Sequence, residues 1–272
     1  MKKKLLVILG AGSSISCNMP SVATLDKQMR AWAEAWAMSN GFPNYFAELW
    51  QAVETYYSGV ESEQRPPLNF EKIMGEMIAL SHWMTPAPWG DTLRQTACGG
   101  APPPHLTFPF PTDYGPTITV SDQLSHLSIE LAKHMRALSW TIDPVATSVS
   151  MYAALLDGLR DGFDVGIYNL NYDAVALTAW PDAYVGFDTT GAFDTEAVHT
   201  RREWGFIYHL HGSVHHSLVS QFGDRIEWKA DLCGEFFDGH QGRSTDKRSE
   251  GKSFPKTTLV AGGFKPANGR AL

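Results

Sequence analysis

The stretch from Ile167 to Asp173, Ile-Tyr-Asn-Leu-Asn-Tyr-Asp, constrains the fold most, because an apolar strand there runs without a break into a polar tip. Phe163, Val165 and Ile167 alternate toward one side, and Asn169, Asn171 and Asp173 fall where a parallel strand would end. Open α/β sheets bind ligands just beyond the carboxyl ends of their strands. The tip is therefore either a turn with helix-capping residues or a set of groups presented to a substrate, and the local sequence leaves both open. Two further stretches follow the same scheme. Leu5 to Leu9 runs into Gly10-Ala11-Gly12-Ser13-Ser14, and the apolar run from Phe206 ends in His209-Leu210-His211-Gly212-Ser213.

With 272 residues, 43% of them apolar and 12% aromatic, the chain can form one large domain or a core with an inserted subdomain. A formal charge of −7 and a pI near 5.8 speak against a general nucleic-acid surface, so direct nucleic-acid binding is not expected. Cys17, Cys98 and Cys233 are scattered, with no Cys-x-x-Cys pair, so they build neither a disulfide framework nor a zinc ribbon. Met1-Lys-Lys-Lys followed by Leu5 to Leu9 has the outline of a signal peptide. That apolar run is shorter than the ~7 to 15 residues of a secretory core, and it reads as a buried first strand. No run of ~18 apolar residues follows, so a membrane span is not expected and the localisation implied is cytoplasmic.

Taken together and in this order, the Gly-Ala-Gly-Ser-Ser loop, the Asn171-Tyr172-Asp173 strand end and the Leu210-His211-Gly212-Ser213 strand end resemble the SIR2 (sirtuin-related) fold. The likeness spans residues 5 to about 215 and is nearest to the NAD-hydrolysing SIR2-like domains of bacterial antiphage-defence proteins. It implies an α/β fold, a Rossmann-like parallel sheet flanked by helices, with a helical insertion and without the four-cysteine zinc ribbon of sirtuin deacylases. It also implies one such domain over residues 1–272, with the helical and proline-rich insertion around 40–140; the stop at Leu272 without an expected terminal helix reads as the amino-terminal part of a longer protein. Where relatives carry Gly-Ile-Pro this chain has Asn18-Met19-Pro20, and asparagine can keep the left-handed turn. Ser21-Val22-Ala23 stands in place of the deacylases' Asp-Phe-Arg, and Leu170 in place of a polar Thr or Gln.

Along the chain, Ser13 to Cys17 reads as a short helical turn. Ser21 caps a helix with Val22, Leu25, Met29, Trp32 and Trp36 at three- and four-residue spacing. Asn44 caps a second with Phe46, Leu49, Trp50, Val53 and Tyr57 inward, and Asn69 a third with Phe70, Ile73, Met74, Met77 and Ile78. This block is expected to cap the sheet. From Thr85 to Thr119 repeated prolines defeat every period, which predicts a long insertion without regular structure. Helices are expected again over 121–138 and 145–159, the second closing at Asp161-Gly162 before the central strand. Short strands follow over 214–218 and 225–229, around Phe222-Gly-Asp. An exposed loop over 239–252 and a strand from Thr258 complete the reading.

For the chemistry, Ile15 occupies the third glycine position of the Gly-x-Gly-x-x-Gly pattern, which argues against a plain Rossmann dehydrogenase. Small residues after a buried strand let a phosphate approach backbone N–H groups, and Ser13 and Ser14 can add hydroxyl donors; the alternative is a tight strand-to-helix turn. His211 is a candidate base or a histidine satisfied within its turn. His209, His211, His215 and His216 also invite a metal reading, but the Gly212-Ser213 break spoils their register and no carboxylate is interleaved, so no metal is expected. By resemblance, Gly10, Ala11, Gly12, Ser13 and Ser14, with Asp173, Gly212 and Ser213, form the NAD site, and Asn171 and His211 are catalytic. NAD enters as substrate. Asp173 is read as an organiser or cap of the Asn171 loop. The activity implied is NAD glycohydrolase, as an antiphage effector that depletes NAD. Its implied partners, by analogy, are further copies of the chain and a helicase-like ATPase or short Argonaute. Two alternatives stand beside it, an NAD-dependent protein deacylase and a non-catalytic module sensing NAD or ADP-ribose.

Overall fold

The computed structural model describes residues 2–58, 68–84, 116–218, 226–230 and 232. Three strands, β1 (Lys3–Leu9), β2 (Phe163–Asn169) and β3 (Phe206–His209), form a wholly parallel sheet in the order β1-β2-β3. Parallel neighbours require a crossover, and among the described residues the connection from β1 to β2 carries five α-helices: α1 (Val22–Asn40), α2 (Tyr45–Ser58), α3 (Phe70–Met84), α4 (Pro116–Trp140) and α5 (Thr147–Gly162). The result is a mixed α/β chain with a parallel sheet flanked by helices, compatible with a Rossmann-like arrangement.

Alternation decides the two faces of the sheet. Leu9, Val165, Ile167 and Ile207 point to a core closed by Leu156 of α5 and by Ala176 and Trp180 near α6 (Val175–Ala179). On the other face Leu6 and Ile8 stay exposed beside the stacked rings of Phe206 and Tyr208, 4.4 Å apart at 18°. Gly166 belongs to this face because it pairs with Phe206, whose ring fills the space a side chain would need; a Cβ there would lie 2.3 Å from it.

The helical block has its own core. Ser21 Oγ accepts from Thr24 N–H at 3.2 Å, Asn44 Oδ1 from Ala47 at 3.1 Å and Asn69 Oδ1 from Lys72 at 3.0 Å, so the three expected caps start α1, α2 and α3. In α1 the buried stripe is Leu25, Met29, Ala33 and Ala37, with Trp32 and Trp36 at its margin and Val22 exposed. Gln123 of α4, fully buried, joins three elements: its Oε1 accepts from Phe46 N–H at 2.9 Å, and its Nε2 donates to Ala33 O and Asn44 Oδ1. One expectation is corrected. Helix α4 begins at Pro116 and not at 121, because proline costs a helix nothing at its first position, where the missing N–H had no partner.

This helical core includes Cys17 and Met19 after β1, Tyr172, Ala174 and Val175 after β2, and Val214 after β3. The block is therefore seated on the loops that leave the strands' carboxyl ends. Beyond α7 (Thr195–Thr200) and β3, the strands β4 (His216–Leu218) and β5 (Ile226–Trp228) pair antiparallel, at the two places read as short strands. The proline-rich stretch up to residue 115, Phe222-Gly-Asp, the 239–252 loop, the Thr258 strand, Cys98 and Cys233 lie outside the described residues. Among the described residues no helix is long and apolar enough to cross a membrane.

Candidate functional site

Sheet register places the three sequence motifs side by side. Leu9 pairs with Asn169 and Asn169 with His209, so all three strands end on one line. Gly10 is the first residue past that line, and Asn171 and His211 each lie two past it. This is the carboxyl edge at which open α/β sheets gather ligand-binding groups.

The glycine loop folds as two 3₁₀ turns, Ala11–Ser13 and Ile15–Cys17, in place of the single helical turn expected. Asn18 closes the second in the left-handed region, at φ 63°, as its residue type allows. Ser13 and Ser14 return their N–H groups to Gly10 and Ala11, while the N–H groups of Ala11 and Gly12 have no acceptor among the described residues. Gly10, Ala11 and Gly12 are exposed, and a Cβ built on either glycine meets nothing within 4 Å. Neither glycine has a positive φ. Backbone conformation and packing thus leave both positions open to other residues, and what their smallness preserves is the space above two free N–H donors.

Asn171 ties this loop to β2. Its Nδ2 lies 3.0 Å from Gly10 O, 3.1 Å from Ser13 Oγ and 3.0 Å from Ser14 Oγ. Because a carbonyl only accepts, the amide orientation is fixed, and Oδ1 faces away from the loop without a hydrogen bond from any described residue. The serines are used internally. Ser13 Oγ donates to Gly10 O at 2.8 Å and Ser14 Oγ to Asp173 Oδ1 at 3.2 Å. The expectation of free serine hydroxyls is corrected accordingly: the loop's available donors are main-chain ones.

Asp173, buried, accepts from Ser14 and from Val175 N–H at 3.0 Å, which caps the entry into α6. Burial raises its carboxyl above the usual range, and the Val175 and Ser14 bonds oppose that rise. Tyr152 of α5 touches both cores; its phenol is pushed up to about 12 by burial, with Ser13 drawing it back in part, so it stays protonated beside the loop.

The third motif is joined to the second through the main chain, Val214 N–H donating to Tyr172 O at 2.9 Å. Gly212 adopts φ 85°, which a side chain resists, and so allows the chain to turn after the half-buried His211. Ser213 is buried and accepts from His215 N–H at 3.3 Å. Gly212, Ser213 and Asp173 shape the turns around the site from inside. The structure brings Gly10 to Ser14, Asn171 and Asp173 into one bonded network and sets His211 on the adjacent loop.

Sequence reasoning placed Asn169 only within the strand tip, as a cap or a substrate contact, and assigned no role to Tyr152 or Ser139. Asn169 is buried and its Oδ1 accepts from Asn171 N–H at 3.0 Å, and Ser139 Oγ accepts from Ala174 N–H at 3.2 Å. The two-residue spacing of Asn169, Asn171 and Asp173 was a usable signal for the first. Tyr152 and Ser139 arrive from distant helices, with no local signal. Of the histidines, His215 stacks on Trp228 at 4.6 Å and 17°, and His209 and His216 also border that indole. Among the described residues no three His, Cys, Asp or Glu side chains are grouped to hold a metal ion.

No protein-family model matches the chain, and no curated protein matches it. Fold and site together define a mixed α/β protein with loops converging at the carboxyl edge of a three-stranded parallel sheet.

Proposed function

We propose that this chain is a SIR2-like NAD glycohydrolase that cleaves NAD to nicotinamide and ADP-ribose at the carboxyl edge of its sheet, and that it serves as an NAD-depleting effector. The observation that carries the reading is the Asn171 side chain bonded across to Gly10, Ser13 and Ser14. It makes one site of two motifs 161 residues apart.

In this reading the diphosphate lies over Gly10 to Ser14 and takes hydrogen bonds from the Ala11 and Gly12 N–H groups. Asn171 Oδ1, facing away from the loop, accepts a hydrogen bond from the attacking water or a ribose hydroxyl. As the glycosidic bond breaks, its electron pair goes to the pyridinium nitrogen and nicotinamide leaves neutral. Water adds to the ribosyl cation and His211 takes its proton. Asp173 touches no reacting atom; it fixes the Ser14 end of the loop and the start of α6.

The test is nicotinamide release from NAD, followed by chromatography, for wild type, Asn171→Ala, His211→Ala and the double variant. Each folded single variant is expected to lose about a hundredfold in turnover. The double variant should be scarcely worse, because both groups act on one transition state. Near-normal release from a single variant removes that residue from the mechanism. Release of an acyl group from an acyl-lysine peptide would indicate the deacylase, and NAD binding without any nicotinamide release would indicate the sensor.

A further inference from the structure

Below the site, β2 and β3 end on a pair, Asn169 and His209, that the proposed mechanism does not use. Asn169 Oδ1 accepts from Asn171 N–H, and a backbone N–H can only donate, so the orientation of the Asn169 amide is fixed. Its Nδ2 therefore faces His209 Nδ1, at a long 3.4 Å. An amide NH₂ only donates, so Nδ1 carries the lone pair and the neutral ring carries its proton on Nε2. That Nε2 is buried, with no hydrogen-bond partner among the described residues. Burial and, next, His215 lower the imidazole to about 4, and the main chain at Asn171 opposes them in part. His216 and Trp228 wall the ring at 6.2 and 6.1 Å.

The geometry points to His209 as a positioning residue. As the neutral Nε2–H tautomer it braces the Asn171 turn through Asn169, its Nδ1 holding the Asn169 amide in the orientation that accepts from Asn171 N–H. Asn169 holds the Asn171 N–H and His209 holds the Asn169 amide, so together they fix the peptide plane from which the Asn171 side chain projects. Catalytic hydrogen bonds that are long without substrate shorten when it binds, and shortening of the 3.4 Å Asn169–His209 contact would set the Asn171 turn, and with it Oδ1, in place. This consequence rests on the NAD-cleaving reading; the tautomer and the bracing do not.

Three measurements on the full chain test it. Imidazole ¹⁵N shifts of wild type should show His209 protonated on Nε2 alone at neutral pH; a proton on Nδ1 overturns the proposal without needing any variant to fold. Amide exchange at Asn171 should speed up at least tenfold in His209→Phe, which keeps the ring's bulk, and return toward wild type in His209→Gln, which has an acceptor and a donor to offer. Unchanged exchange in His209→Phe overturns it as well. For nicotinamide release, His209→Phe should lower kcat about ten- to a hundredfold, the scale of a misplaced catalytic group. KM for NAD should stay within about twofold, and His209→Gln should recover most of kcat. Equal kcat in wild type and His209→Phe refutes the positioning role. If wild type releases no nicotinamide, only the NAD-cleaving reading falls, and the tautomer and exchange results still decide His209.

Discussion

Two glycines of the same sheet region should respond to substitution in opposite ways. At Gly12 an added Cβ meets nothing within 4 Å and φ is not positive, so Gly12→Val has no clash to relieve and should cost no more than about 0.5 kcal/mol of stability. The new methyls would stand in the space through which an anion must come to reach the Ala11 and Gly12 N–H groups. Losing one hydrogen bond to a charged ligand costs about 1.5–3 kcal/mol, or roughly ten- to a hundredfold in Kd. Gly166 is the converse, since its added Cβ would sit 2.3 Å from the Phe206 ring and force that ring out of its stack on Tyr208. Overpacking of this kind costs about 1–3 kcal/mol. Gly166→Ala should therefore lower Tm by several degrees and leave NAD affinity within about twofold once the protein is folded. Titration calorimetry with NAD and thermal unfolding of both variants make the comparison. Wild-type affinity in folded Gly12→Val would refute the assignment of the loop as a phosphate cradle, and a Gly12→Val as unstable as Gly166→Ala would show that the glycine serves packing.

Gln123→Leu should destabilise by about 1–3 kcal/mol, because Phe46 N–H loses its buried acceptor; an unchanged Tm would show that the bond adds nothing net. Stability should fall on acidification. Burial lowers His209 to about 4 and His216 to about 3, against 6.5 when unfolded, so their contribution is complete above about pH 6.5 and is lost as pH falls toward those values. Each histidine contributes a slope of up to about 1.4 kcal/mol per pH unit. Asp173, raised by burial, acts in the opposite sense. A Tm that is flat from pH 7 to 5 would contradict the burial of this cluster. In Asn169→Ala the Asn171 N–H loses its partner, and faster exchange at that amide with Tm changed by only a few degrees is expected; unchanged exchange would show that the turn is held by other means.

Much of the frame was legible in the sequence because it depends on local rules. Alternation in Val165 and Ile167, the caps Ser21, Asn44 and Asn69, and the left-handed Asn18 each follow from a few neighbouring residues, and each stands where expected. The start of α4 was misplaced because a proline reads as a break until its position within the helix is known. What tertiary structure alone decided was the pairing of groups far apart in the chain. Register set Asn169 against His209 and brought Asn171 to the Gly10 loop, and no period in either segment encodes which distant donor meets which acceptor. The same holds for the loop's chemistry. Composition offered Ser13 and Ser14 as donors to a ligand, but folding gave their hydroxyl protons to Gly10 and Asp173 and left the backbone of Ala11 and Gly12 to face outward. Local sequence fixes what a residue can donate or accept, and only the packed chain, by using up the groups that find partners inside it, decides which remain for a ligand.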